Sequence, residues 1–112
     1  MNKNTNKLDI EKRDWKLFLK KLPYWQENYM NKLNKEYIKL LLENKKASTL
    51  FWELDKKIKE DKKSYGVIIR GVSKSEFDYY ICGMLNDEVI TMDDLTDFSE
   101  EFKNRISFLR KI

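Results

Sequence analysis

The chain contains no histidine, one cysteine, one proline and three glycines among its 112 residues. Without histidine there is no imidazole to act as general base, as metal ligand or as the partner of a nucleophilic Ser or Cys. The lone thiol, Cys82, can form no internal disulfide and cannot complete a cysteine-based zinc site; it fits a reducing compartment. Four breakers in all are too few for the turns of a sandwich or barrel. No apolar run approaches the roughly 18 residues that span a bilayer. The polar start MNKNTNKLDIEKRD has no apolar core, so no signal peptide is expected. Gly-rich phosphate loops and GxSxG are missing too. These absences lead to the expectation of a cytoplasmic protein that is not an enzyme and uses no cofactor or metal.

What remains is rich in charge (38%) and in hydrophobic residues (41%), a mixture suited to amphipathic helices. From Leu22 to Asn44, Trp25, Tyr29, Leu33, Tyr37 and Leu41 recur every fourth residue, with Met30, Ile38 and Leu40 widening the stripe. Trp15, Phe18, Leu19 and Leu22 form an earlier stripe, and Pro23 is suited to the first turn of a new helix, so the chain is expected to bend at Leu22. Ser48 or Thr49 offers a cap for a helix carrying Phe51, Leu54 and Ile58. SYGVIIRGV has β-like composition but no partner strand, and reads as a linker whose Val67, Ile68 and Ile69 plug the core. Ser73 and Glu76 have capping-box spacing ahead of Phe77, Tyr80, Ile81, Met84 and Leu85. Thr91 and Asp94 have similar spacing ahead of Leu95, Phe98, Phe102, Ile106 and Leu109, with Ser99 a point of division. The expected fold is all-α, a compact bundle of about five helices around a long central helix at 22–44. Residues 1–8 are expected to be disordered or frayed and 9–112 to form a single domain.

The net charge of +4 is unevenly spread. Residues 1–63 carry 17 Lys/Arg and 10 Asp/Glu, whereas residues 64–112 carry 6 and 9. In the basic half, Lys20, Lys21, Tyr24, Lys45 and Lys46 are the candidate partner or nucleic-acid surface: cations for phosphates and a ring for stacking. Lys56, Lys57, Lys59, Lys62 and Lys63 could touch phosphates as well, but interspersed acids favour a solvated face. In the acidic half, Asp87, Glu88, Asp93, Asp94 and Asp97 are the candidate surface for a basic partner. They lack the alternating ligands and central Gly of a calcium loop. Cys82, with no cation within four residues on its helix, reads as a small hydrophobe rather than a reactive thiol.

Two resemblances accompany these patterns. LNDEVITMDDLTDFSEEFK resembles the helical hairpin of short C-terminal oligomerisation-type domains. WKLFLKKLPYWQENYM, EYIKLLL, FWELDKKIKEDKK followed two residues on by GV, and VITMDDLTDFSEE together resemble a group of small uncharacterised all-helical proteins of low-GC Gram-positive bacteria. Some of that group are labelled multidrug transporters by automatic transfer, despite having no membrane span. The resemblance implies a compact bacterial helical protein and assigns no site residues. The function expected is a small protein-interaction or regulatory module, with a nucleic-acid-binding regulator using the basic half as the alternative. A protein partner is expected, the first candidate being a second copy in a homodimer. In such a dimer each basic half would meet an acidic half, and Tyr24, Tyr79 and Phe108, the aromatics expected at the surface of one copy, would serve as anchors. No membrane and no small-molecule substrate is evident from the sequence.

Overall fold

The computed structural model describes residues 7–111, and all of their regular structure is helical. Four α-helices run Lys7–Leu41 (α1), Ala47–Asp61 (α2), Phe77–Asn86 (α3) and Glu100–Leu109 (α4). Single 3-10 turns at Lys74–Glu76 and Met92–Leu95 introduce α3 and precede α4. The helix count is therefore four, not about five, because the expected break at Leu22 does not occur. Pro23 lies inside α1, and the long helix covers 7–41 rather than 22–44. A proline within a helix costs about 3 kcal/mol through its missing N–H and its clash with the preceding turn. Phe18, Leu22 and Trp25 are all buried across that point while Pro23 itself is exposed. Each such side chain contributes about 1.5–3 kcal/mol on burial, so packing outweighs the penalty and the helix continues. The expected disorder of residues 1–8 falls mostly on positions outside those described; Lys7 and Leu8 already belong to α1.

At 35 residues α1 is about 52 Å long, and it gives the molecule extents of 67 × 26 × 22 Å. The radius of gyration is 17.9 Å, against about 13 Å for a rounded domain of this length. The core lies at one end. Phe18, Leu22 and Trp25 of α1 meet Phe77, Tyr80, Ile81, Met84 and Leu85 of α3, Leu95 and Phe98 beyond it, and Phe102 and Ile106 of α4. Aromatic rings fill much of this space: Phe77 stacks on Phe102 at 4.6 Å, Phe18 lies 4.9 Å from Phe77, and Trp25 stacks on Phe98 at 6.3 Å. The α3 stripe is buried as its spacing implies, and so is the later one apart from half-buried Leu109. In the α1 stripe Leu19 is 43% exposed.

Asp14, on α1, is buried with the core. Its Oδ1 accepts from the Ser99 N–H at 3.0 Å and its Oδ2 from the Ser99 hydroxyl at 2.6 Å. Ser99 Oγ in turn accepts from Phe102 N–H at 3.1 Å, capping α4. One carboxylate thus ties the start of the chain to the start of the last helix and satisfies donors that burial would otherwise orphan.

The other caps divide. Asp94 Oδ2 accepts from Thr91 N–H at 2.8 Å, as the spacing suggests. Ser73 makes no such bond: its hydroxyl pairs with Ser75, and Glu76 lies within reach of the Tyr80 hydroxyl, because the chain enters α3 through a 3-10 turn. α2 begins one residue before the expected caps, at Ala47, with Lys46 in the cap position. The segment from Lys62 to Ser73 is a linker of turns and extended backbone, as expected, but of the expected plugs Val67, Ile68 and Ile69 only Ile69 packs on the core cluster, where Tyr65 joins it. Gly66 presses on Tyr29 of α1, where a β-carbon would lie 2.2 Å from the ring.

Candidate docking surface

Beyond Tyr29, α1 leaves the bundle and pairs with α2, forming a helical hairpin with Val67 of the following linker at its base. This hairpin has little core. Leu33 is buried and Tyr37 half-buried, but no residue of α2 is fully buried. Polar contacts join the two helices instead. Tyr37 donates its phenolic hydrogen to Asp61 Oδ2 at 2.6 Å, and Lys57 bridges Glu36 at 3.2 Å and Asp61 at 3.5 Å while lying 5.8 Å from the Tyr37 ring centre. Partial burial and the bond to Asp61 push the Tyr37 hydroxyl well above its usual pKa, and the bond to Glu36 raises Lys57.

The apolar stripe continues past the reach of these contacts. Ile38 is 59% exposed, Leu41 46%, Leu42 80%, Phe51 63% and Trp52 64%. Leu41, a member of the stripe that periodicity assigns to one apolar face, is exposed because only α2 pairs with α1 here, and α2 has no buried residue of its own. Phe51 and Trp52 meet edge to face at 5.0 Å, so they present one aromatic unit. The stripe leads into a groove of about 210 Å³ between the two helices, walled by Met30, Leu33, Tyr37, Ile58 and Val67. Residues 31–63 carry ten lysines and six carboxylates, a net charge of +4 around this apolar strip.

The residues singled out from sequence lie elsewhere, and the fold brings the two sets together. Lys20, Lys21 and Tyr24 share a cleft of about 550 Å³ with Asp93, Asp94 and Asp97, and Lys21 lies 3.6 Å from Asp97. Basic and acidic surfaces expected to face each other across two copies therefore meet within one. Lys45 is held by Glu43 and Glu53, both at 3.0 Å, and its pKa is raised chiefly by Glu53. Lys46 stands exposed at the start of α2. Asp87 accepts from the Tyr65 N–H at 3.2 Å, and Glu88 occupies the left-handed turn after α3 with φ 59°. Tyr24, Tyr79 and Phe108 are exposed, at 69%, 74% and 64%.

Cys82 is half-buried, and burial together with Asp78 pushes its thiol above the usual pKa, which disfavours the thiolate. Among the described residues no group of three metal-ligating side chains occurs, and no helix is long and apolar enough to cross a membrane. The sequence matches no protein-family model, no curated protein and no solved structure. The hairpin surface was hidden from sequence reasoning because an apolar stripe looks the same whether or not a neighbour covers it. The aromatic content of 13%, high for a small helical core, was the available signal.

Proposed function

We propose that the protein is a small cytoplasmic interaction module, and that the α1–α2 hairpin grips an amphipathic helix with acidic flanks presented by a protein partner. The observation that carries this reading is the exposure of Ile38, Leu41, Leu42, Phe51 and Trp52, at 46–80%, on the two helices of the hairpin, which has little core of its own. A helix laid along two others buries apolar residues at i, i+3, i+4 and i+7 spacing, and aromatic anchors dominate such contacts. The +4 charge of residues 31–63 selects acidic flanks and disfavours a like-charged second hairpin. The half-buried thiol with its raised pKa fits a reducing compartment.

The test is titration of the protein with a synthetic helix carrying Leu at that spacing and Glu at its flanks, followed by calorimetry and tryptophan emission. The glutamate peptide is expected to bind, to shift emission to the blue, and to lose at least tenfold in affinity against Phe51→Ser/Trp52→Ser. A scrambled peptide, or one with lysine flanks, is expected to bind far more weakly. Equal binding of all three peptides would overturn the reading. So would a concentration-dependent dimer that the double variant abolishes, which makes a second copy the occupant. Binding to anionic vesicles, or to oligonucleotides with steep salt dependence, in place of the peptide would likewise overturn it.

A further inference from the structure

The linker between α2 and α3 builds a second site, independent of the hairpin tip. Lys62 and Lys63 leave the end of α2, Arg70 returns from the far side of the linker, and the three side chains line one cleft with Tyr65, Ile68 and Ile69. The volume is about 530 Å³, within the range of small-molecule sites, which combine apolar walls with a few convergent polar groups. Two lysines after a helix are unremarkable alone, since cations suit the negative end of the dipole. Arg70 has no such reason to be there. It comes from a different segment and adds a third positive charge.

The neighbouring acids do not balance this cluster. Asp61 is engaged by Tyr37 and Lys57, and Asp87 accepts from the Tyr65 backbone. Glu76 is the one carboxylate lining the cleft, and it is oriented toward the Tyr80 hydroxyl at 3.4 Å.

The walls are fixed from beneath. Buried Tyr80 donates to the Gly71 carbonyl at 3.0 Å and accepts from Ser73 N–H at 3.1 Å, pinning the strap that carries Arg70. The Tyr65 carbonyl accepts from Gln26 Nε2 at 3.2 Å. The Tyr65 ring lies so close over Gly83 that a β-carbon there would come within 1.7 Å of it. An aromatic wall, aliphatic neighbours and three cations, one of them carried by the pinned strap, are suited to one class of ligand.

We infer that this cleft binds a small organic phosphate: a compact planar or apolar body lies against Tyr65, Ile68 and Ile69, and its phosphate is held by Lys62, Lys63 and Arg70. Arginine supplies a planar fork for two phosphate oxygens and the lysines supply point charges. Adenosine diphosphate, adenosine and inorganic phosphate, each titrated by calorimetry at low and moderate salt, test the inference. The diphosphate is expected to bind in the micromolar to low-millimolar range, more tightly than either fragment, and to weaken as salt rises. Arg70→Gln/Lys63→Gln is expected to lose tenfold or more in affinity while its melting temperature stays within a few degrees of the parent. Phe51→Ser/Trp52→Ser is expected to bind the nucleotide unchanged, which separates this site from the hairpin tip. Inorganic phosphate binding as tightly as the nucleotide would overturn the role of the apolar wall. No binding at 10 mM, or binding that survives loss of both cations, would overturn the site.

Discussion

The two ends of α1 hold the same kind of apolar stripe and make opposite use of it. Around Phe18, Leu22 and Trp25 the stripe meets α3 and α4 and is sealed by stacked rings and a buried carboxylate. Around Ile38 and Leu41 it meets one amphipathic helix with no buried residue, and the contact depends on Tyr37, Asp61 and Lys57. Stability belongs to the first end. An apolar surface left open to water belongs to the second. Helical periodicity therefore specifies which face of a helix avoids water, while neighbouring elements decide whether that demand is met inside the molecule or by a partner.

The sharpest way to break the comparison is to damage the sealed end. Trp25→Ala is expected to cost about 3–5 kcal/mol in urea unfolding; a loss below about 1 kcal/mol would show that the aromatic cluster does not carry the fold. Asp14→Ala should follow at about 2 kcal/mol, since it strips the half-buried Ser99 N–H of its partner and loosens the α4 cap. In that background Ser99→Ala should add little, and fully additive losses in the double-mutant cycle would refute a shared network. At the hairpin, Phe51→Ser/Trp52→Ser is expected to change stability by no more than about 0.5 kcal/mol. A larger loss would mean that these rings support the fold.

The smallest effect is a pH dependence confined to the hairpin. Burial and the bond to Asp61 hold the Tyr37 hydroxyl in its neutral form, so its pKa is raised in the folded protein. The folded state then binds more protons than the unfolded one above pH 10, the ordinary tyrosine value. The stabilisation is complete below that pH and is lost as pH climbs through the folded pKa. Hydrogen exchange of the α2 amides, compared with a bundle reference such as α3, should quicken selectively in that alkaline range. Tyr37→Phe should remove the selectivity, and equal acceleration in α3 would disprove the local origin.

The sealed end was largely readable from sequence. Phe77 to Leu85 and Leu95 to Ile106 show stripes that the fold buries, and the Thr91–Asp94 and Ser99 signals both mark real boundaries. Pro23 misled because a local cost of about 3 kcal/mol is visible in sequence whereas the burial that outweighs it is not. Asp14 was invisible for a related reason: its partner lies 85 positions away, and nothing nearby distinguishes it from a solvated acid. The basic and acidic candidates were each legible as charge. Their meeting at Lys21 and Asp97 is a property of topology.

The uninterrupted course of α1 also sets a direction. Trp25 is fixed in the bundle and Leu33 in the hairpin, and eight positions of helix separate them. Each helical residue advances the axis by about 1.5 Å and turns it by about 100°. The bearing of the Phe51–Trp52 pair around the long axis is thus written in the number of residues between two anchors, as much as in any contact at the tip. Removing one residue from that interval would barely shorten the molecule, yet it would swing the aromatic pair through more than a quarter of a turn.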